Sequence, residues 1–139
     1  MTREAMGWCE FFAKVWPVVA GAEEAVPARV VRAGSRLHAV WCDSHELLAE
    51  MTGRSRHEAR SAAEFPATGD WVAVAPRFAE RRATIVAVLP RRTCLSRKAA
   101  GDTANIQVLA ANVDIAFIVN ALDGALLVLF YSGWLVING

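Results

Sequence analysis

Apolar and polar positions repeat with different periods along the chain. Between residues 5 and 16, Met6, Trp8, Phe11, Phe12, Val15 and Trp16 recur at roughly helical spacing. The pattern predicts a short amphipathic helix packed on a neighbour, stopped by Pro17. From Ala28 the period becomes two. Residues 28–33 and 36–42 read as strands joined at Gly34-Ser35, and Leu37, Ala39 and Trp41 share one face of the second. In residues 47–52, Leu47, Leu48 and Met51 suit either a short helix or a strand. Residues 53–69 are polar and end in a turn from Pro66 to Gly69. Strands at 70–75 and 83–89 follow, separated by the charged turn Arg77 to Arg82 and closed by Pro90. Residues 91–106 read as a linker. Val113 to Val119 is a nearly continuous apolar run rich in β-branched residues, the texture of a strand covered on both faces, as in a parallel sheet.

Several short strands with polar turns and no long helix predict a mainly β protein built on a small closed barrel. By pattern alone an OB-fold and an SH3-like barrel fit equally. The expected layout is an N-terminal helical arm (1–27), an OB-fold-like barrel (28–90), a basic linker (91–106), the start of an incomplete α/β domain (107–124) and an apolar tail (125–139). Only 20 residues follow Val119, too few for the neighbouring strands and crossover helices of a parallel sheet. The tail from Ala125 to Ile137 is uncharged and 13 residues long. That is short of the roughly 20 residues a bilayer-crossing helix needs. Extending it backwards would bury Asp123, so a buried or aggregation-prone strand is expected instead of a stable membrane span.

Charge sharpens this picture. The formal net charge is +1, yet residues 29–98 hold 13 basic and seven acidic side chains, between acidic ends. A basic middle points weakly to a polyanion such as nucleic acid. Three cysteines, Cys9, Cys42 and Cys94, lie far apart with no Cys-x-x-Cys pair, which argues against a disulfide framework and a zinc site of standard spacing. The N-terminus carries no secretory pattern, so a cytoplasmic, reduced setting is expected.

Candidate chemistry rests on two arginine-rich groups: Arg54, Arg56 and Arg60, then Arg91, Arg92, Arg97 and Lys98. Guanidinium forks bind phosphate oxygens and stack on bases. The competing role is a solvated surface partly paired with Glu58 and Glu64. Trp41 and Trp71 suit base stacking, although Trp71, after a tight turn in an alternating strand, fits a core better. His38, His45 and His57 have no ligand spacing, and Ser44-His45-Glu46 is no triad merely by adjacency. Asp70 is expected to stabilise the Gly69 turn.

A longer pattern stands out: Gly7-Trp8, Pro27-Ala28-Arg29-Val30, Gly53-Arg54 with His57-Glu58, Phe65-Pro66-Ala67-Thr68-Gly69-Asp70-Trp71-Val72, Val88-Leu89-Pro90-Arg91-Arg92-Thr93-Cys94-Leu95-Ser96-Arg97, and Gln107 with Ala110-Ala111-Asn112-Val113-Asp114 running into Phe117-Ile118-Val119-Asn120-Ala121-Leu122-Asp123-Gly124. In order and spacing this resembles the N-terminal part of the ribosome small subunit-dependent GTPases, the RsgA (YjeQ) family, over roughly residues 5–124. The resemblance implies an rRNA-binding OB-fold, then a circularly permuted GTPase domain and a zinc-binding domain. It further implies action on the small ribosomal subunit and its rRNA late in assembly.

GTP, magnesium and zinc are expected only in complete members. After Gly124 the pattern departs from the family, as after a frameshift or truncation. No Asn-Lys-x-Asp and no Gly-x-x-x-x-Gly-Lys-Ser/Thr loop occurs, and Lys14 and Lys98 are the only lysines. The expected function is that of an rRNA-binding fragment without catalytic residues. The alternatives are a product with no surviving function and an apolar-tailed interaction protein. The residues set no oligomeric state.

Overall fold

The computed structural model describes residues 1–19, 24–59, 61–99, 102–122, 125–131 and 134–137. Five strands close a barrel: β1 (Val26–Arg32), β2 (Leu37–Cys42), β3 (His45–Met51), β4 (Trp71–Arg77) and β5 (Arg82–Val88). Their order is β1-β2-β3-β5-β4, with β1 pairing back onto β4. β3 and β5 run parallel and the other neighbours antiparallel. A parallel pair needs a long crossover. The chain from Met51 to Arg82 supplies it through α2 (Gly53–Glu58) and β4. The topology is OB-fold-like, which resolves the choice between the two barrels.

The ambiguous stretch 47–52 lies largely in β3, where Leu47 and Ala49 point into the barrel and Leu48 stays outside. The interior is small and aliphatic: Ala28, Val30, Val40, Cys42, Leu47, Ala49, Val72, Val74, Ala83 and Ile85. β2 therefore gives its Val40 and Cys42 phase to the interior, and Leu37, Ala39 and Trp41 form the opposite face.

β4 is buried on both faces, which explains its unbroken apolar run. Val72 and Val74 fill the barrel, while Trp71 and Ala73 join Phe12 and Leu89 in a second core outside it. The N-terminal arm closes that second core. A single 3-10 turn (Glu4–Met6) ends at Gly7, whose φ of 89° suits glycine, and α1 spans Glu10–Val19. Trp8 meets Trp71 edge-on at 4.8 Å between ring centroids. The helix thus starts later than the pattern predicted and runs through Pro17 instead of stopping there. Pro17 sits in the last turn, where one lost hydrogen bond matters less than keeping the Phe12 face packed.

The stretch expected as a linker instead begins a hairpin. β6 (Cys94–Ala99) pairs antiparallel with β7 (Asp102–Ala111). Cys94 and Ser96 are buried while Arg97 is exposed, a period-two signal hidden among the arginines. The apolar run does form a strand, β8 (Ala116–Leu122), but its partner is β9 (Ala125–Tyr131), antiparallel. A hairpin needs only a short turn, whereas the expected parallel partner needs a crossover. β10 (Trp134–Ile137) runs parallel to β6. Among the described residues, no helix is long and apolar enough to cross a membrane.

Candidate nucleic-acid interface

The turn before β4 is densely hydrogen-bonded. Asp70 is fully buried, and its carboxylate accepts the Ala67 amide N–H at 2.8 Å. Arg91 grips the same carboxylate through both Nε (2.8 Å) and Nη2 (2.7 Å). Its Nη1 donates to the Ala63 carbonyl at 2.6 Å and its Nη2 also to Phe65 at 3.0 Å. Burial alone would lower the Arg91 pKa, but the Asp70 hydrogen bonds and charge outweigh it and raise it.

The same turn is tied to the end of β7. Gly69 has φ +91°, and any Cβ there would collide with the Ala111 carbonyl oxygen. The Ala111 amide donates to the Thr68 carbonyl at 2.8 Å. Asn112, left-handed at φ 55°, donates from Nδ2 to the Gly69 carbonyl (3.0 Å) and accepts the Arg92 amide on Oδ1 (2.8 Å). The Thr93 hydroxyl donates to the Val113 carbonyl at 2.5 Å. Arg29 completes this joint. It stacks over Trp71 at 5.6 Å and donates to the carbonyls of Met6 and Asn112, linking arm, barrel and hairpin. Burial lowers the pKa of Arg29, with Asp114 and Asp70 opposing.

The seven basic residues singled out in the sequence therefore part company. Arg91 is withdrawn into the joint, with every guanidinium nitrogen engaged, because a buried carboxylate needs a fork-shaped cation. Arg92 is exposed and pairs with Asp114. Arg54 and Arg56 are exposed on α2, and Arg56 donates to the Ser35 carbonyl at 3.1 Å. Arg97 is exposed on β6 and donates from Nε to Gln107 Oε1 at 3.0 Å. Arg60 and the side chain of Lys98 lie outside the described residues.

These bonds tie Arg56 and Arg97 to two residues of one groove. Ser35 and Gln107 both line a groove of about 470 Å³ between the β1–β2 turn, the Phe65–Thr68 turn and β7. His38, 3% exposed, also lines it. Burial, then the Arg56 charge, lowers the His38 pKa, which favours the neutral ring. The Gly34 N–H donates to Nδ1 at 3.4 Å, which leaves the ring proton on Nε2.

Sequence reasoning missed His38 and Gln107 as groove residues. The available signal was His38 in phase with Val40 and Cys42. It also missed Asn112, although asparagine is the residue that most readily replaces glycine in the left-handed region. Trp71 is core, as expected, and the Cys42 thiol, buried and beside Asp43, is pushed up to about 11. His45 packs against Phe78 and bonds the Asp43 carbonyl at 2.8 Å.

An OB-fold-like barrel, sealed outside by an aromatic arm and locked to a β-hairpin, defines the class. The chain belongs to the family of small ribosomal subunit biogenesis GTPases named RsgA, as a stretch of its N-terminal part. It is 42% identical over 132 residues to the small ribosomal subunit biogenesis GTPase RsgA of Opitutus terrae, a match covering 88% of this chain and 35% of that relative. The same-named protein of Syntrophotalea carbinolica is 36% identical over 131 residues (88% and 35%). That of Xanthomonas campestris pv. campestris is 36% identical over 134 (88% and 33%). The chain thus spans about a third of the length of these relatives. No family model matches the chain. Three of the segments that carry the resemblance, Phe65 to Val72, Leu89 to Thr93 and Ala110 to Asp114, are the ones that meet in the joint.

Lys14 pairs with Glu10 on the exposed face of α1 at 2.8 Å, and Lys98 lies in β6, so neither belongs to a phosphate-cradling loop.

Proposed function

We propose that this chain is an RNA-binding part of a small-subunit biogenesis GTPase, acting in the cytoplasm on the small ribosomal subunit and its rRNA. GTP hydrolysis belongs, on this proposal, to parts of the family's proteins that these residues do not supply. The observation that carries it is the set of exposed arginines, Arg54, Arg56, Arg92 and Arg97, on the barrel's helical insert and the hairpin, with Arg91 reserved for the joint. Such side chains neutralise phosphates, release counterions and recognise folded RNA through its backbone. The relatives' names, which refer to small ribosomal subunit biogenesis, support the same target.

The test is binding to purified small ribosomal subunits and to naked small-subunit rRNA across a salt series. Affinity is expected to fall steeply with salt. Exchanging Arg54, Arg56, Arg92 and Arg97 together for glutamine is expected to flatten the log–log slope by about 0.7–0.9 per lost phosphate contact. An unchanged slope in that variant sinks the proposal.

A further inference from the structure

We propose that the groove between the β1–β2 turn and β7 receives an unstacked base of single-stranded RNA, with Arg56 and Arg97 taking the flanking phosphates. This deepens the RNA reading above and rests on it. Four observations point the same way. First, the groove's volume, about 470 Å³, falls within the roughly 300–1,000 Å³ of small-ligand clefts. Second, its lining is mixed: Phe65 and Leu109 offer apolar surface, and His38 and Gln107 offer polar groups. Leu109 is 38% exposed, so its side chain is open to a ligand. Third, two of the lining residues each hold an arginine from outside the lining: Arg56 donates to the Ser35 carbonyl and Arg97 to Gln107 Oε1. Cations flanking an apolar slot is the arrangement that binds single strands, with backbone charge along the rim and a base stacked within. Fourth, the walls are held in place. Thr68 accepts the Ala33 N–H on its hydroxyl at 3.2 Å and the Ala111 N–H on its carbonyl at 2.8 Å, joining turn, barrel and hairpin.

The neutral His38 matters for selectivity. A charged ring would act as one more phosphate contact, whereas a neutral ring offers one donor and no net charge, suited to a base edge. A base inside a duplex cannot enter such a slot, so single strands are the ligand.

The experiment uses the whole chain and fluorescence anisotropy with a labelled short single-stranded RNA, its abasic counterpart, and a duplex of the same sequence. The parent is expected to bind the base-bearing strand about tenfold or more tightly than the abasic one, the scale of one stacked base. Leu109→Ser, on the exposed hairpin, and His38→Gln, in the barrel, are each expected to shrink that ratio towards one while leaving the salt slope unchanged. Arg56→Gln with Arg97→Gln is expected to do the reverse, lowering the slope and keeping the ratio. A parent that binds base-bearing and abasic strands alike overturns the groove and leaves the RNA reading standing. A ratio that survives in both Leu109→Ser and His38→Gln also overturns it, because the base then sits elsewhere. A parent that binds neither strand, nor the duplex, nor rRNA removes both.

Discussion

Asp70 is an acid with no solvent exposure, and Arg91 is the cation that makes its burial tolerable. The arginine side chain is itself only 12% exposed, so the pair is screened little by water. Removing one partner strands the other charge in a poorly solvated place. Asp70→Ala is expected to lower stability by about 3–5 kcal/mol, read from urea unfolding. Arg91→Lys is expected to recover little of what Arg91→Ala loses, since an ammonium cannot reproduce the bidentate grip and the two carbonyl contacts.

His38 makes a separate prediction, from pH. Its folded pKa lies below the usual 6.5 because burial and Arg56 disfavour the charged ring. Below pH 6.5 the unfolded chain takes up a proton that the folded chain refuses, so stability falls as pH drops from there towards the folded value. Above 6.5 this contribution is flat. Thermal melts of the parent are expected to show that fall, and His38→Gln is expected to remove it. Equal slopes in parent and variant would show that burial does not keep His38 neutral.

At the scale of elements, the N-terminal arm is part of the fold. Phe12 is 1% exposed and packs with Trp71 and Trp8 at 6.0 and 5.7 Å between ring centroids. Phe12→Ala is expected to cost about 3–5 kcal/mol and to shift tryptophan emission to the red, as Trp71 gains water. A loss below about 1 kcal/mol would mean that the arm is only loosely attached. The arm's aromatic spacing was readable from the sequence, as were the barrel strands, because periods of 3.6 and 2 are properties of local geometry. What could not be read was which phase of each strand faces which core. In β4 both phases are apolar, and only the presence of α1 assigns Trp71 outward and Val72 inward. β2 has the same ambiguity, with Ala39 and Trp41 against Val40 and Cys42. The arginine groups were legible as charge but not as roles. Arg91 and Arg92 are neighbours, yet at the bend before β6 one side chain enters the joint and the other faces solvent. The groove was invisible for a different reason: Ser35, Phe65 and Gln107 are far apart in sequence and meet only through tertiary contacts.

For the whole molecule, the question is whether barrel and hairpin act as one unit. The bonds from Asn112 to Gly69 and Arg92, and from Ala111 to Thr68, cross from the hairpin's end to the barrel's turn. Each is buried or half-buried, so losing one leaves a backbone group without its partner. A tie of this kind makes two β elements unfold together, because neither can open without breaking the shared bonds. In the parent, the amides of Ala111 and Arg92 are therefore expected to exchange hydrogen with the same free energy as those of Val72 and Ile85 in the barrel. Asn112→Ala removes both side-chain bonds and asks alanine to hold a left-handed conformation that costs about 1–2 kcal/mol. That variant is expected to release the Ala111 and Arg92 amides early while the barrel core keeps its protection. Asn112→Gly, which tolerates the conformation but lacks the bonds, is expected to fall between the two. Hydrogen exchange read by NMR distinguishes the outcomes. If parent amides on the two sides already differ by several kcal/mol, the joint does not couple them.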